Sequence, residues 1–275
     1  MENQKRNNIR RILNHSVRMI DYTSGRWLLP DPMAEMYYST SPYAYVLNNP
    51  IRYIDPDGRS THTDSLGHVV AVYNDGNMGV YKHGISADTY DGSKLKIKNG
   101  TRMGETEYWD EFSPLYADPN IDGSPGSFTI NFDMSFDQII DEMHQIAQGM
   151  GLMKIARESK GGGLFDIKED YKNIGALLNG KYATSRSAGN YLAGYNASTG
   201  TLFGAGISFE TFQKLAGALH ITESTGGQLL FWQKVDIVLG APAQYYLGPT
   251  FKAPTWGESP YQYRMSKMGW NRGKR

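Results

Sequence analysis

Asp166, Lys168, Arg186 and Asn190 fall within Gly161 to Ala197, the most concentrated polar pattern of the chain. With Leu164 to Lys168 as a strand, Asp166 and Lys168 point to one side, because strand side chains alternate. Arg186 and Asn190 stand four apart on a following helix and share a face. An acid, two cations and an amide converging in this way suit a polyanionic or sugar substrate. Asp166 would act as base, and Lys168 or Arg186 would stabilise negative charge as it develops. The plainer assignment makes Asp166 and Lys168 a surface pair and gives Asn190 to a neighbouring loop. Gly189, Ala193 and Gly194 fit close helix packing better than ligand contact.

Histidine offers a second route. His144 lies at the margin of an apolar helical stripe, and His220 falls at an expected helix C-terminus, where the helix dipole favours the imidazolium form. Together they could serve as acid and base of a metal-independent ribonuclease. Each also fits a half-buried structural role. Glu105, Glu107, Asp110 and Glu111 form an acidic cluster that could bind a divalent cation or supply a glycosidase carboxylate. With Trp109 beside it, an exposed acidic strand or a neutralising contact to the basic chain ends is simpler. No His-Glu-x-x-His or His-x-His spacing occurs, so no metal site is expected. Phosphate loops, dinucleotide fingerprints and the G-x-S-x-G elbow are absent too, and no cofactor is expected.

These residues must be held by a framework. Leu66 to Tyr73 and Met78 to His83 read as a hairpin closed around Asp75-Gly76, since Asp-Gly accepts the positive φ such turns need. Lys94 to Lys98 alternates with period two and suits an exposed strand. Ser135 and Gln138 have the spacing of a capping box, and Phe136, Ile139, Ile140, Met143, Ala147 and Met150 form a stripe at helical spacing. That helix is expected to reach about Ala156, with a break at Gly149 and Gly151. Further helices are expected over Ser187 to Ala197 and Ser208 to His220, and a buried one over Leu229 to Leu239. Pro249, Pro254 and Pro260 with Trp256 and Trp270 argue for an extended, packed tail. Strands followed by helices indicate an α+β fold.

The 275 residues suffice for one or two domains with a real core. Apolar residues make up 40% and charged residues 20%, which is ordinary for a globular protein. The net charge of +0 gives no global attraction to nucleic acid. Both ends are locally basic, through Lys5, Arg6, Arg10 and Arg11 and through Arg264, Lys267, Arg272, Lys274 and Arg275, as solvated tails or as contacts for an anionic partner. The absence of cysteine excludes disulfides, thiolate metal sites and a cysteine nucleophile. No run approaches the roughly 18 apolar residues of a membrane span. Met1 to Tyr22 carries basic residues without an apolar core, so no secretory signal peptide is expected, and export would use a specialised route from the cytoplasm.

Arg18 to Arg59 resembles the C-terminal end of the Rhs/YD-repeat core. The residues that carry the resemblance are Gly25-Arg26-Trp27, Asp31-Pro32, Ser41-Pro42-Tyr43 with Tyr45, Asn48-Asn49-Pro50 and Asp55-Pro56-Asp57-Gly58. Read by themselves they form short strands and turns. The resemblance implies the end of a β-hairpin shell, followed from about Ser60 by a variable cargo that is usually a toxin or effector. No repeat array precedes the core here, so this stretch alone encloses nothing. The expected layout is a basic segment 1–17, the core remnant 18–59, a β-rich cargo region 60–130 and a mainly helical cargo region 131–275. Gly161 to Ala197 resembles a Bacteroidetes Rhs cargo domain and, more weakly, the predicted toxin family called bacterial toxin 44. The matching residues are Gly162-Gly163, Asp166, Lys168, Tyr182, Gly189-Asn190 and Gly194. The resemblance also implies that Asp31 and Asp55 correspond to an aspartate pair that releases the cargo. The chain departs from that pattern, lacking the expected Gly after Asp31-Pro32 and carrying Arg59 where Leu is usual, and turn roles suit both residues.

The expected function is that of an Rhs-associated C-terminal effector in interbacterial competition. It would be a hydrolase acting on RNA or peptidoglycan, with a cognate immunity protein as partner. The alternatives are a non-enzymatic surface or wall-associated interaction module and an inert displaced cassette.

Overall fold

The structure, a computed structural model, describes residues 12–15, 18–21, 26–27, 41, 43, 59–108, 111–112, 128–202, 204–224, 226–227, 230–238, 247–248 and 251–275. Asp31 and Asp55, the motif residues between them other than Ser41 and Tyr43, and Trp109 and Asp110 lie outside the described residues. The chain divides into two compact units, one of 1–59 with 74–77, the other of 60–73 with 78–275. In the first, β1 (Ile12–His15), β2 (Arg18–Asp21) and β3 (Arg26–Trp27) form an antiparallel sheet in that order.

The second unit is α+β, built on two main sheets. One takes the order β5-β4-β6-β7, from β4 (Arg59–Thr63), β5 (Val69–Asn74), β6 (Gly79–Lys82) and β7 (Thr101–Glu105). The expected hairpin is therefore interrupted. β4 lies between β5 and β6 and pairs parallel to β6, with Thr61 opposite Val80 and His62 opposite Tyr81. Lys94 to Lys98 is not a strand. The free side of β6 is taken by β7, and Ile97–Asn99 forms a short 3-10 turn.

The other sheet runs β10-β9-β8, from β8 (Thr129–Ser135), β9 (Ile174–Leu178) and β10 (Lys181–Thr184). Asn179 and Gly180 join β9 to β10 with φ of 52° and 80°, the two positive values a tight hairpin needs. Thr106 bridges to Tyr182, which brings the end of β7 against β10.

Helices pack around this sheet. Ser135 caps α1 (Phe136–Ala147) by accepting from the Asp137 N–H. The expected reciprocal bond from Gln138 is not made, because that side chain donates to Glu142 one turn on. Phe136, Ile140 and Ala147 face the core. Gly149, at φ 81°, ends the helical path, and α2 (Leu152–Glu158) starts after Gly151, so the expected break is present. α3 (Ile167–Asp170) occupies the place expected for a strand. α4 (Ser185–Thr199), α5 (Phe209–Ser224) and α6 (Phe231–Val238) follow the expected helices. Between α4 and α5, β11 (Thr201–Leu202) and β12 (Ala205–Gly206) form a small ribbon.

The last element departs from expectation. Pro260–Gly273 is a helix, α7, rather than an extended tail. Proline is tolerated at the first helical position, and Ser259 and Gln262 close a complete capping box around it. α7 lies directly on α4, where glycines permit backbone contact. A Cβ at Gly194 would stand 1.9 Å from the Ser266 carbonyl oxygen, and one at Gly269 1.9 Å from that of Tyr191. The main core gathers α1, α4, α7, β9 and β10 around Phe136, Ile140, Leu178, Leu192 and Met265. Among the described residues, no helix is long and apolar enough to cross a membrane.

Candidate active site

The local sequence at the start of α4 builds a hydroxyl-rich corner. Thr184 is the N-cap residue, and its side chain accepts from the Ser187 N–H. That geometry turns Thr184 and Ser187 to the same place, where the chain delivers Glu111. One carboxylate oxygen of Glu111, Oε1, receives the Thr184 backbone N–H at 2.6 Å and the Thr184 hydroxyl at 2.8 Å. Ser187 Oγ also donates to Oε1, and the Tyr261 hydroxyl from the first turn of α7 reaches it at 3.3 Å. The other oxygen, Oε2, is buried with no hydrogen-bond partner among the described residues.

Burial is the dominant influence on this acid. It pushes the Glu111 carboxyl up to about 7, although Ser187, Thr184 and Tyr261 all favour the ionised form. Burial, and next the Glu111 charge, hold the Tyr261 phenol well above its usual range, with Arg186 acting weakly the other way. Glu111 therefore exchanges its proton near neutrality, and Tyr261 keeps its own.

A second acid lies at the same helix start. Glu258 precedes the cap of α7, and Gln213 donates to it from α5. Burial of its carboxyl pushes Glu258 up to about 7, against the Gln213 bond and the nearby charge of Lys168. The residue as a whole is only half-buried, so this second acid keeps an edge towards solvent. The stem of Lys168 crosses Gly189 of α4, where a Cβ would stand 3.1 Å from its Cγ and Cε. Each of these carboxyls, poised near neutrality, can donate or accept a proton, with the Lys168 charge near Glu258 and the Arg186 charge near Tyr261.

The residues singled out from sequence divide between this corner and elsewhere. Lys168 comes near Glu258, and Arg186 near Tyr261. Asp166 instead caps α3: it accepts from the Gly162 N–H at 2.8 Å and the Glu169 N–H at 3.4 Å. A carboxylate so occupied is a helix cap, and the strand that would have aimed it beside Lys168 is absent. Asn190 is buried in the α4–α7 contact. Its backbone carbonyl accepts from Ser266 Oγ, while its side-chain Nδ2 has no partner among the described residues.

The two histidines lie on different helices, α1 and α5. His144 is buried, stacked on Tyr195 at 3.6 Å, and its Nδ1 bonds Asn196 at 2.9 Å. Burial holds its pKa below the ordinary value despite Asn196. His220 is exposed on α5. In the acidic cluster, Glu107 is buried and paired with Arg264 at 3.2 Å, which makes it a neutralising contact to the basic end. Glu258, Tyr261, Thr184 and Ser187 were not anticipated. The one available signal was Ser259-Pro260-Tyr261-Gln262, which has capping-box spacing with proline at the first helical position. Among the described residues, no three His, Asp or Glu side chains are grouped to hold a metal ion.

No family model matches the chain, and neither a curated protein nor a solved structure matches it.

Proposed function

We propose that this chain is an Rhs-associated C-terminal effector cassette whose cargo hydrolyses cell-wall glycan, with Glu111 as the proton donor. The observation that carries this reading is the Glu111 carboxyl itself. It is held by Thr184, Ser187 and Tyr261 through one oxygen, bare on the other among the described residues, and poised near neutrality. A glycosidase needs one carboxylic acid still protonated at working pH and a second group to stabilise or accept charge. Glu258, which shares the start of α7 with Tyr261, is the candidate for the second role, with the Lys168 charge near it.

RNA is the weaker substrate. The cations of the C-terminal end are drawn into intramolecular contacts: Arg264 pairs with Glu107, Arg272 pairs with Asp141 at 2.6 Å, and Lys274 lies over Trp270. A binding face for a polyanion needs such charges turned outward. His144 is buried, bonded to Asn196 and stacked on Tyr195, which speaks for a structural role.

One observation favours the second reading, a non-enzymatic module. Glu111 is only 6% exposed, as a structural acid would be. The glycan account therefore requires the corner to open when substrate arrives. Delivery by specialised secretion and neutralisation by a cognate immunity protein complete the proposal. Expression of the full chain in a bacterium, directed separately to cytoplasm and periplasm, tests it. Lysis confined to the periplasmic form, and lost in Glu111→Gln, supports a wall hydrolase. Cytoplasmic killing with degraded RNA contradicts it, and harmless folded protein in both compartments favours the binding module.

A further inference from the structure

A second cluster, independent of Glu111, lies on one face of the β5-β4-β6-β7 sheet. Ser60 and His62 are two apart on β4 and so share that face. Ser60 Oγ stands 3.1 Å from His62 Nε2, and His62 Nδ1 stands 2.8 Å from His83 Nε2, just past the end of β6. The Asn99 backbone carbonyl lies on the other side of the His83 ring and favours a proton there.

That carbonyl favours one direction for the whole chain. A neutral imidazole has one N–H and a carbonyl can only accept, so with the His83 proton on Nδ1, Nε2 is the acceptor towards His62. His62 then donates from Nδ1, which leaves the lone pair of its Nε2 facing Ser60. Burial, the larger influence on His83, holds its pKa below the ordinary value and favours this neutral form. The His62 ring is further held by stacking on Tyr81 at 5.5 Å and by the edge of Tyr73 at 4.9 Å.

We propose that Ser60, His62 and His83 form an acyl-transfer site for an ester or amide, with Ser60 as nucleophile, His62 as its base and His83 as positioning residue. The arrangement meets the requirement for an activated serine: a base within hydrogen-bond reach, itself oriented by a third group. Ser60 Oγ adds to the carbonyl carbon as its proton passes to His62 Nε2. The tetrahedral adduct expels the alcohol or amine, which takes that proton. Water then adds to the acyl-Ser60, giving its proton to the same nitrogen, and the acid leaves as Oγ is reprotonated.

Ser60 and His62 are fully buried, so a substrate enters only when the cover moves. Over Tyr73 and His83 that cover is the segment 84–100. Its Leu95 N–H donates to the Tyr73 hydroxyl at 3.0 Å, Tyr90 faces the same hydroxyl at 3.4 Å, and a side chain at Gly100 would meet the His83 ring at 2.7 Å. Most of its residues are exposed and its regular structure is two short 3-10 turns, the kind of segment that opens locally before the core does.

The test is covalent labelling of the full chain by a small alkyl fluorophosphonate, with the site read by mass spectrometry. The expected result is a single label on Ser60, forming faster as pH rises and the base loses its proton. His83→Ala should slow labelling by about a hundredfold or more. His83→Gln should restore part of the rate, since its amide can accept from His62 and donate to Asn99. Glu111→Gln should leave the rate unchanged, which keeps this site separate from the glycan proposal. Absence of the label on Ser60, or a rate indifferent to both pH and His83→Ala in protein that melts normally, would overturn the proposal.

Discussion

Thr184 gives both its backbone N–H and its hydroxyl to a single oxygen of Glu111, at 2.6 and 2.8 Å. The cap of one helix is thereby the clamp on an acid supplied from far away in the chain. Because the clamp saturates Oε1 and leaves Oε2 bare, the proton of Glu111 belongs on Oε2, without an acceptor among the described residues.

The first consequence concerns stability and pH. Glu111 holds its proton up to about 7 in the folded chain, against 4.5 ordinarily. Between those values the folded state binds more protons than the unfolded one, so the contribution of Glu111 to stability is full below about 4.5 and is lost as pH rises towards about 7. His83 and His144 act oppositely. Held below 6.5 by burial, they cost stability as pH falls below that value. Glu111→Gln mimics the protonated acid, so chemical denaturation should show it gaining on the native chain between pH 5 and 8, by up to ~3 kcal/mol. A difference that does not change with pH would contradict the raised acid.

The α4–α7 contact gives a second expectation. A methyl group at Gly194 or Gly269 has no space, since each Cβ position lies 1.9 Å from a carbonyl oxygen of the facing helix. Gly194→Ala should cost at least ~1–3 kcal/mol despite the better helix propensity of alanine. Gly189→Ala meets only the flexible stem of Lys168 and should cost much less. Thermal melts of the two variants side by side decide this; equal losses would argue against the close crossing.

Glu107 and Arg264 supply a third. Burial raises the Glu107 pKa, and Arg264 is the first of the groups that oppose it. Arg264→Ala leaves a buried acid uncompensated and should cost on the order of 1–3 kcal/mol at pH 7, less than for a fully buried pair because Arg264 is 42% exposed. The loss should shrink at pH 5, where Glu107 takes up a proton more easily. Adding Glu107→Gln should recover much of it, and a double-mutant cycle at pH 7 measures the coupling.

Local signals in the sequence reported local structure well. The stripe of α1, its interruption at Gly149 and Gly151, and the helices α4 and α5 follow from periodicity and glycine placement, as does the α+β class. Pairing between distant segments was not legible. Nothing in Val69 to Lys82 announces that β4 inserts between β5 and β6, because that choice depends on which edges compete. Asn179-Gly180 carried a hairpin signal in its own right, and Ser259 to Gln262 a helix start, but the prolines of the tail masked the second. At the site, Lys168 and Arg186 were legible as cations near one helix. Asp166 was diverted because a carboxylate just ahead of a helix caps its free N–H groups. Glu111 and its partners come from three separate stretches, and no spacing in the sequence could assemble them.

The most direct measurement is release of reducing sugar ends from purified peptidoglycan by the full chain and by Glu111→Gln, from pH 5 to pH 8. The account predicts glycan cleavage that declines as pH rises through about 7, where Glu111 loses its proton, and that falls at least a hundredfold in the still-folded variant. Cleavage undiminished in Glu111→Gln, or no cleavage by a folded native chain at any pH, would contradict it.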